Sequence, residues 1–143
     1  MPDARRLQVV LVDDSQADTF LMQEIFSALL PTPNVTVYHD SREALSALQT
    51  QPPQQHPDLM LLDINMPGLN GHDLLRAVKA DLRLRRVPVI MYSTSKAASD
   101  IRRSYDHHAA AYLVKAAGFA QMEAQLQGLW RYWSQHALSR QTA

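Results

Sequence analysis

The chain has 143 residues, 14 Lys plus Arg against 14 Asp plus Glu, and no cysteine. That length fits one domain whose core needs no disulfide or structural metal; the zero net charge argues against a protein that works by neutralising nucleic-acid phosphates. No apolar run approaches the roughly 18–20 residues that span a bilayer and Met1–Arg6 lacks the apolar centre of a secretory signal, so the expectation is one soluble, cytoplasmic domain over residues 1–143, with no membrane and no nucleic acid as partner.

Leu7–Asp13 (LQVVLVD) is short, β-branched and apolar before it turns acidic, which predicts a strand buried on both faces. Ser15-Gln16-Ala17-Asp18 resembles a capping box, and Leu21, Ile25, Phe26 and Leu29 follow at helical spacing until Pro31 and Pro33 end the helix. Asn34–His39 predicts a second strand and Asp40–Gln49 a second helix, followed by the polar loop Gln51–Pro57.

Asp58–Asp63 (DLMLLD) predicts a third strand, Met66-Pro67-Gly68 a turn, and Asn70–Asp81 a helix with Leu74, Leu75 and Val78 inward. Val87–Ser93 predicts the fourth strand. Lys96–His107 predicts a polar helix anchored mainly by Ile101 and Tyr105. Ala110–Val114 predicts the fifth strand and Phe119–Leu138 a long closing helix, with a frayed tail beyond. Strand and helix alternate five times, so the strands are expected to be parallel, with right-handed crossovers and helices on both faces.

In an open parallel sheet, ligands bind beyond the carboxyl ends of the strands. The polar residues at those ends are Asp13-Asp14, Asp63, Ser93 and Lys115, and all five should meet at one edge. Crowded carboxylates raise one another's proton affinity unless a cation neutralises them. An all-oxygen set suits a hard ion such as Mg²⁺ and leaves coordination positions open for water or phosphate. Lys115 supplies a point positive charge and Ser93 a hydroxyl for phosphate oxygens. Such parts suit phosphoryl transfer, which is mostly positioning and charge neutralisation, with a carboxylate as nucleophile. Each feature alone has a plainer reading: an acidic pair favours a helix N-terminus, and a strand-end lysine snorkels. The chain has only three lysines, and one falls where the acidic cluster calls for it.

The residues that carry a resemblance are Val12-Asp13-Asp14-Ser15, Leu61-Leu62-Asp63-Ile64-Asn65-Met66-Pro67-Gly68 with Asn70-Gly71, Pro88-Val89-Ile90-Met91-Tyr92-Ser93, and Tyr112-Leu113-Val114-Lys115. In order and spacing they resemble the CheY-like receiver domains of two-component response regulators, over residues 7–133. The resemblance implies a flavodoxin-like, doubly wound sheet of strand order 2-1-3-4-5. It implies Asp63 as phosphoacceptor, Mg²⁺ held directly by Asp14, Asp63 and the backbone carbonyl of Asn65 and through water by Asp13, and Lys115 on the phosphoryl group. Ser93 and Tyr112 would be the switch pair, with Ser93 turning toward the phosphoryl oxygen and Tyr112 rotating inward. The donor would be a phosphohistidine on a sensor histidine kinase or a phosphotransfer protein, the output a downstream protein target, and the chain no enzyme in its own right. Ser93-Thr94-Ser95 and the aromatic last helix resemble single-domain regulators that partner bacterial phytochrome-type kinases.

Two departures from the family pattern bear on geometry. Ala116 stands after Lys115 where the family usually has proline behind a cis bond; cis before alanine costs roughly 3–4 kcal/mol, so a trans bond and a shifted Lys115 are expected. His107-His108-Ala109 stands where a glycine often precedes the alanine, and His108 enters a left-handed conformation less readily than glycine. In the last helix Phe119, Met122, Leu126, Leu129 and Trp133 follow near-heptad spacing, read as core packing; Trp130, Tyr132 and Trp133 together exceed what one helix buries, which suggests a homodimer contact through that helix and the fifth strand. Arg76, Lys79, Arg83, Arg85 and Arg86 read as a solvated helix end, and His107 and His108 as surface residues. Two other functions fit parts of the pattern: a degenerate receiver acting as an unphosphorylated scaffold, and a small aspartyl-phosphate phosphatase. The second lacks its general acid, since Asn65 stands two residues after Asp63 and an amide is a poor acid.

Overall fold

The computed structural model describes residues 6–142, with side chains as far as Leu138; the expectation stated for Met1–Arg6 lies, but for Arg6, outside them. The elements are β1 (Gln8–Val12), α1 (Gln16–Ser27), β2 (Asn34–Tyr38), α2 (Ser41–Thr50), β3 (Leu59–Leu62), α3 (Gly71–Ala80), β4 (Val89–Ser93), α4 (Ala98–Asp106), β5 (Ala111–Val114) and α5 (Phe119–Thr142), with a 3₁₀ turn at Pro53–Gln55. The five strands form one sheet in the order β2-β1-β3-β4-β5, every neighbouring pair parallel. No helix among the described residues is long and apolar enough to cross a membrane.

Strand alternation sorts the core into two layers. Val10, Val12, Met60, Leu62, Val89 and Met91 face α2 and α3. Val9, Leu11, Leu59, Leu61, Ile90 and Tyr92 face α1 and α5. β1, β3 and β4 are buried on both faces, which is why they read as unbroken apolar runs.

The helix starts carry their own caps. Asp40 accepts from the amides of Arg42 and Glu43 at the start of α2. Asn70 and Asp73 make a full capping box on α3. At α1 only half of the expected box forms: Ser15 Oγ accepts from the Asp18 amide at 3.2 Å. The Asp18 carboxylate turns instead to Lys115, 2.9 Å away, because an ammonium is a stronger partner for it than a backbone amide.

The last helix differs from the expected register. Its buried side chains are Met122, Leu126, Trp130, Ser134 and Ala137, whereas Phe119 is 47% exposed and Leu129 and Trp133 are only partly buried. Trp130 sets this register: its ring packs edge-on to Phe26 at 5.9 Å between centroids, and its Nε1 donates to the Pro31 carbonyl at 2.7 Å. Trp130→Ala is expected to lower stability by about 3–5 kcal/mol through lost transfer energy and a cavity, read as a lower urea midpoint. The helical backbone also continues to Thr142, past the point where fraying was expected.

In α4 Ser104 is buried and Ile101 half-buried, but Tyr105 is 49% exposed and anchors no core. Its hydroxyl instead accepts from the Tyr112 amide at 3.2 Å. His108 adopts the left-handed region, φ 70°, as its position requires. Two of the five basic residues are spent on backbone: Lys79 Nζ donates to the carbonyls of Arg85 and Val87, and Arg83 to those of Gln49 and Gln51.

Candidate phosphoacceptor site

The carboxyl ends of β1, β3, β4 and β5 bring the expected residues to one edge. Carboxylate oxygens of Asp13, Asp14 and Asp63 lie within 4.8 Å of one another. Lys115 Nζ reaches over from β5 to Asp13 Oδ2 at 2.5 Å and stands 3.9 Å from Asp63 Oδ2. Its side chain is 5% exposed and that of Asp13 4%.

Backbone pairing holds each of these groups in place. The Asp63 amide donates to the Val12 carbonyl at 2.9 Å, and the Lys115 amide to the Ser93 carbonyl at 2.8 Å. Asp13 Oδ1 accepts from the Ser15 amide and Asp63 Oδ1 from the Ile64 amide, both at 2.9 Å. Asp13 thereby has one partner on each oxygen. Asp63 keeps Oδ2 turned toward Lys115, beyond hydrogen-bonding distance.

The charges follow from this geometry. Burial pushes the Asp63 carboxyl above the usual carboxylate value; Lys115 pulls it back, and Asp13 pushes it up again. Burial works against the Lys115 ammonium, but its bonds to Asp13 and Asp18 outweigh that and raise it above an ordinary lysine. Removing this cation as Lys115→Met leaves buried carboxylates uncompensated. A loss of about 3–5 kcal/mol is expected, partly restored by Mg²⁺, with thermal melts at two metal concentrations as the check.

The Lys115–Ala116 bond is trans, as expected; the cis bond among the described residues is Leu30–Pro31. Lys115 nevertheless reaches the cluster. Gln125 of α5 secures the loop: its side-chain nitrogen donates to the Val114 carbonyl at 2.7 Å, and its oxygen accepts from the Ala116 amide at 3.1 Å and from Tyr92 hydroxyl at 2.7 Å.

Ser93 and Tyr112 meet at the next loop. Ser93 is fully buried, and its Oγ accepts from the Ser95 amide at 3.2 Å. Tyr112 hydroxyl donates to the Ser95 carbonyl at 2.8 Å. Asn65 is exposed beside Asp63 in the β3–α3 loop. One residue of the site, Asp18, was not singled out from the sequence, while Gly71 and Ser95 entered only as parts of the resemblance motifs. Asp18 was hidden by its helix-start position. Gly71 sits under the loop, its amide donating to the Ile64 carbonyl at 2.9 Å, and an added Cβ would overlap the Asp63 carbonyl oxygen.

The sequence profile of the response regulator receiver domain matches residues 9–127. The chain belongs to that family. This receiver is 31% identical over 128 residues to response regulator Rcp1 of Synechocystis, an alignment covering 87% of each chain. Its fold superposes on the phosphorylated cyanobacterial phytochrome response regulator RcpA with a TM-score of 0.83 and 33% identity, over 90% of this chain and 94% of that one. The Mn²⁺-bound form of Rcp1 follows at a TM-score of 0.80 and 31% identity, over 89% and 94%. The acidic cluster of this receiver is of the kind that binds a divalent cation.

Proposed function

We propose that this receiver is a phosphorylation-switched response regulator in which Asp63 takes the phosphoryl group. The observation that carries this is the meeting of Asp13, Asp14 and Asp63 within 4.8 Å, under the ammonium of Lys115. Asp63 Oδ2 attacks the phosphorus of a phosphohistidine; the nitrogen–phosphorus bond breaks, and the departing imidazole recovers a proton. Lys115 meets the incoming oxygens with a fixed positive charge. Asp13, Asp14, Asp63 and the carbonyl of Asn65 would hold Mg²⁺, which when bound supplies the remaining neutralisation of carboxylate and phosphoryl charge.

The new group carries about −1.5 to −2 charge and three strong acceptors. Ser93 accepts from the Ser95 amide and so keeps its hydroxyl hydrogen to donate to one of them, while Tyr112 can turn inward only by leaving the Ser95 carbonyl. Ser93 and Tyr112 are therefore the switch pair, and their movement changes the surface offered to a downstream protein. The likeness to phytochrome response regulators supports a phytochrome-type sensor histidine kinase, or a phosphotransfer protein fed by one, as donor in the cytoplasm. Half-exposed Phe119 and Tyr132, 64% exposed, support a homodimer through α5 and β5.

Incubation with acetyl phosphate and Mg²⁺, followed by intact-mass measurement, tests the reading. A gain of one phosphoryl group that chelation prevents is expected. No gain, under conditions that label a control receiver, would leave a scaffold that works without phosphate.

A further inference from the structure

His72 is an anomaly. It lies in the first turn of α3, is 1% exposed, and neither ring nitrogen has a hydrogen-bond partner. Buried polar groups are nearly always satisfied, and an unpaired one is a local store of unfavourable energy. An acceptor within reach is Asp100 Oδ1 on α4, 3.5 Å from His72 Nε2. That is one small movement of α4 short of a good bond.

The same carboxylate is already in use. Asp100 Oδ2 accepts from Ser95 Oγ at 2.5 Å. Ser95 is the residue that holds both switch side chains, through its amide to Ser93 Oγ and its carbonyl to Tyr112 hydroxyl. An unbroken path therefore runs from a buried imidazole through Asp100 and Ser95 to Ser93 and Tyr112. α4, which carries Asp100, has Ser104 as its buried residue, so it is the element that can shift against the rest.

We propose that His72 is a positioning residue of the switch: closure of Asp100 onto its imidazole ties the place of α4 to the Ser95 loop, and through it to Ser93 and Tyr112. This rests on the receiver reading above. When Tyr112 leaves the Ser95 carbonyl, the loop is freed to move with Asp100. The bond that Asp100 then completes to His72 stabilises the moved arrangement. His72 touches neither the acceptor nor the acidic cluster, and it acts only through Asp100.

Protonation has a defined sign here. The charged groups facing His72 are Asp100, Arg103 and His107, all on or capping α4. Burial, with Arg103 second, holds the imidazole below its usual value, which favours its neutral form in the arrangement described. Closure onto Asp100 favours the imidazolium, so falling pH favours closure.

The test is a pH titration followed by two-dimensional NMR on the unphosphorylated protein, with His72→Phe, His72→Gln and Asp100→Asn beside it. The Ser95 and Tyr112 amides are expected to shift with the midpoint of the His72 ring in the parent. That shift should vanish in His72→Phe, and in Asp100→Asn it should vanish while the ring still titrates. His72→Gln keeps a donor and should hold the two amides at the shifted position regardless of pH. Amides that titrate alike in the parent and in His72→Phe would overturn the proposal, as would a ring that titrates with no response at Ser95. If His72→Phe fails to fold, Asp100→Asn decides alone. Phosphoryl uptake on Asp63 should survive in every variant. Its failure in the parent would sink the receiver reading and leave the coupling measurement standing.

Discussion

Asp63→Asn is expected to eliminate the phosphoryl mass gained from acetyl phosphate while leaving the fold intact. Of the three crowded acids, Asp13 has both oxygens engaged, by Lys115 and by the Ser15 amide. Asp14 is exposed and makes no bond to Lys115 among the described residues. Asp63 alone presents an oxygen that faces Lys115 without being bound by it, at 3.9 Å. An amide there has no negative charge and is no nucleophile. The same change should raise thermal stability slightly. Burial already disfavours the ionised Asp63 carboxyl, so removing the charge removes that strain along with the repulsion from Asp13. Intact mass and a melting curve on one sample check both halves, and residual uptake would move the acceptor to Asp14.

A second large effect is expected at a residue with no side chain. Gly71→Ala would place a methyl group over the Asp63 carbonyl oxygen, and 2.8 Å from both the Asp63 carbonyl carbon and Ile64 Cα. All three are backbone atoms at the end of β3, and none can rotate away. Either α3 retreats, breaking the Gly71–Ile64 hydrogen bond, or the acceptor loop shifts and takes Asp63 off the axis of Lys115. A loss of about 3 kcal/mol is expected, the upper end for overpacking, together with slower phosphoryl uptake. Gly68→Ala is the contrast. That glycine has φ 74° but open space around its Cβ position, so it should cost about 1–2 kcal/mol of backbone strain with little change in uptake. Urea denaturation and uptake rates on the pair separate crowding from strain.

The strand-end residues were legible because a parallel sheet leaves no choice. Once Leu7–Asp13, Asp58–Asp63, Val87–Ser93 and Ala110–Val114 are strands in one direction, their carboxyl ends share an edge, and Asp13, Asp63, Ser93 and Lys115 go with them. The residues that were missed depend on partners that no local pattern names. Asp18 was read as a cap, which its position allows, and only the arrival of Lys115 from β5 diverts it. His72 sits one step from a helix start and looks like any polar first-turn residue until α4 covers it. The register of α5 escaped for the same reason. Near-heptad spacing selected Leu129 and Trp133, but Phe26 and the Pro31 carbonyl, more than ninety residues upstream, select Trp130 instead.

The Gln125 amide carries a consequence beyond local satisfaction. One side chain in the second turn of α5 grips the end of β5 and the first residue after Lys115, and also takes the hydroxyl of Tyr92. The aim of the ammonium is thus set from the closing helix. Any tug that rolls that helix, such as a second molecule leaning on its outer aromatics, is transmitted as a change in how much positive potential Asp63 feels.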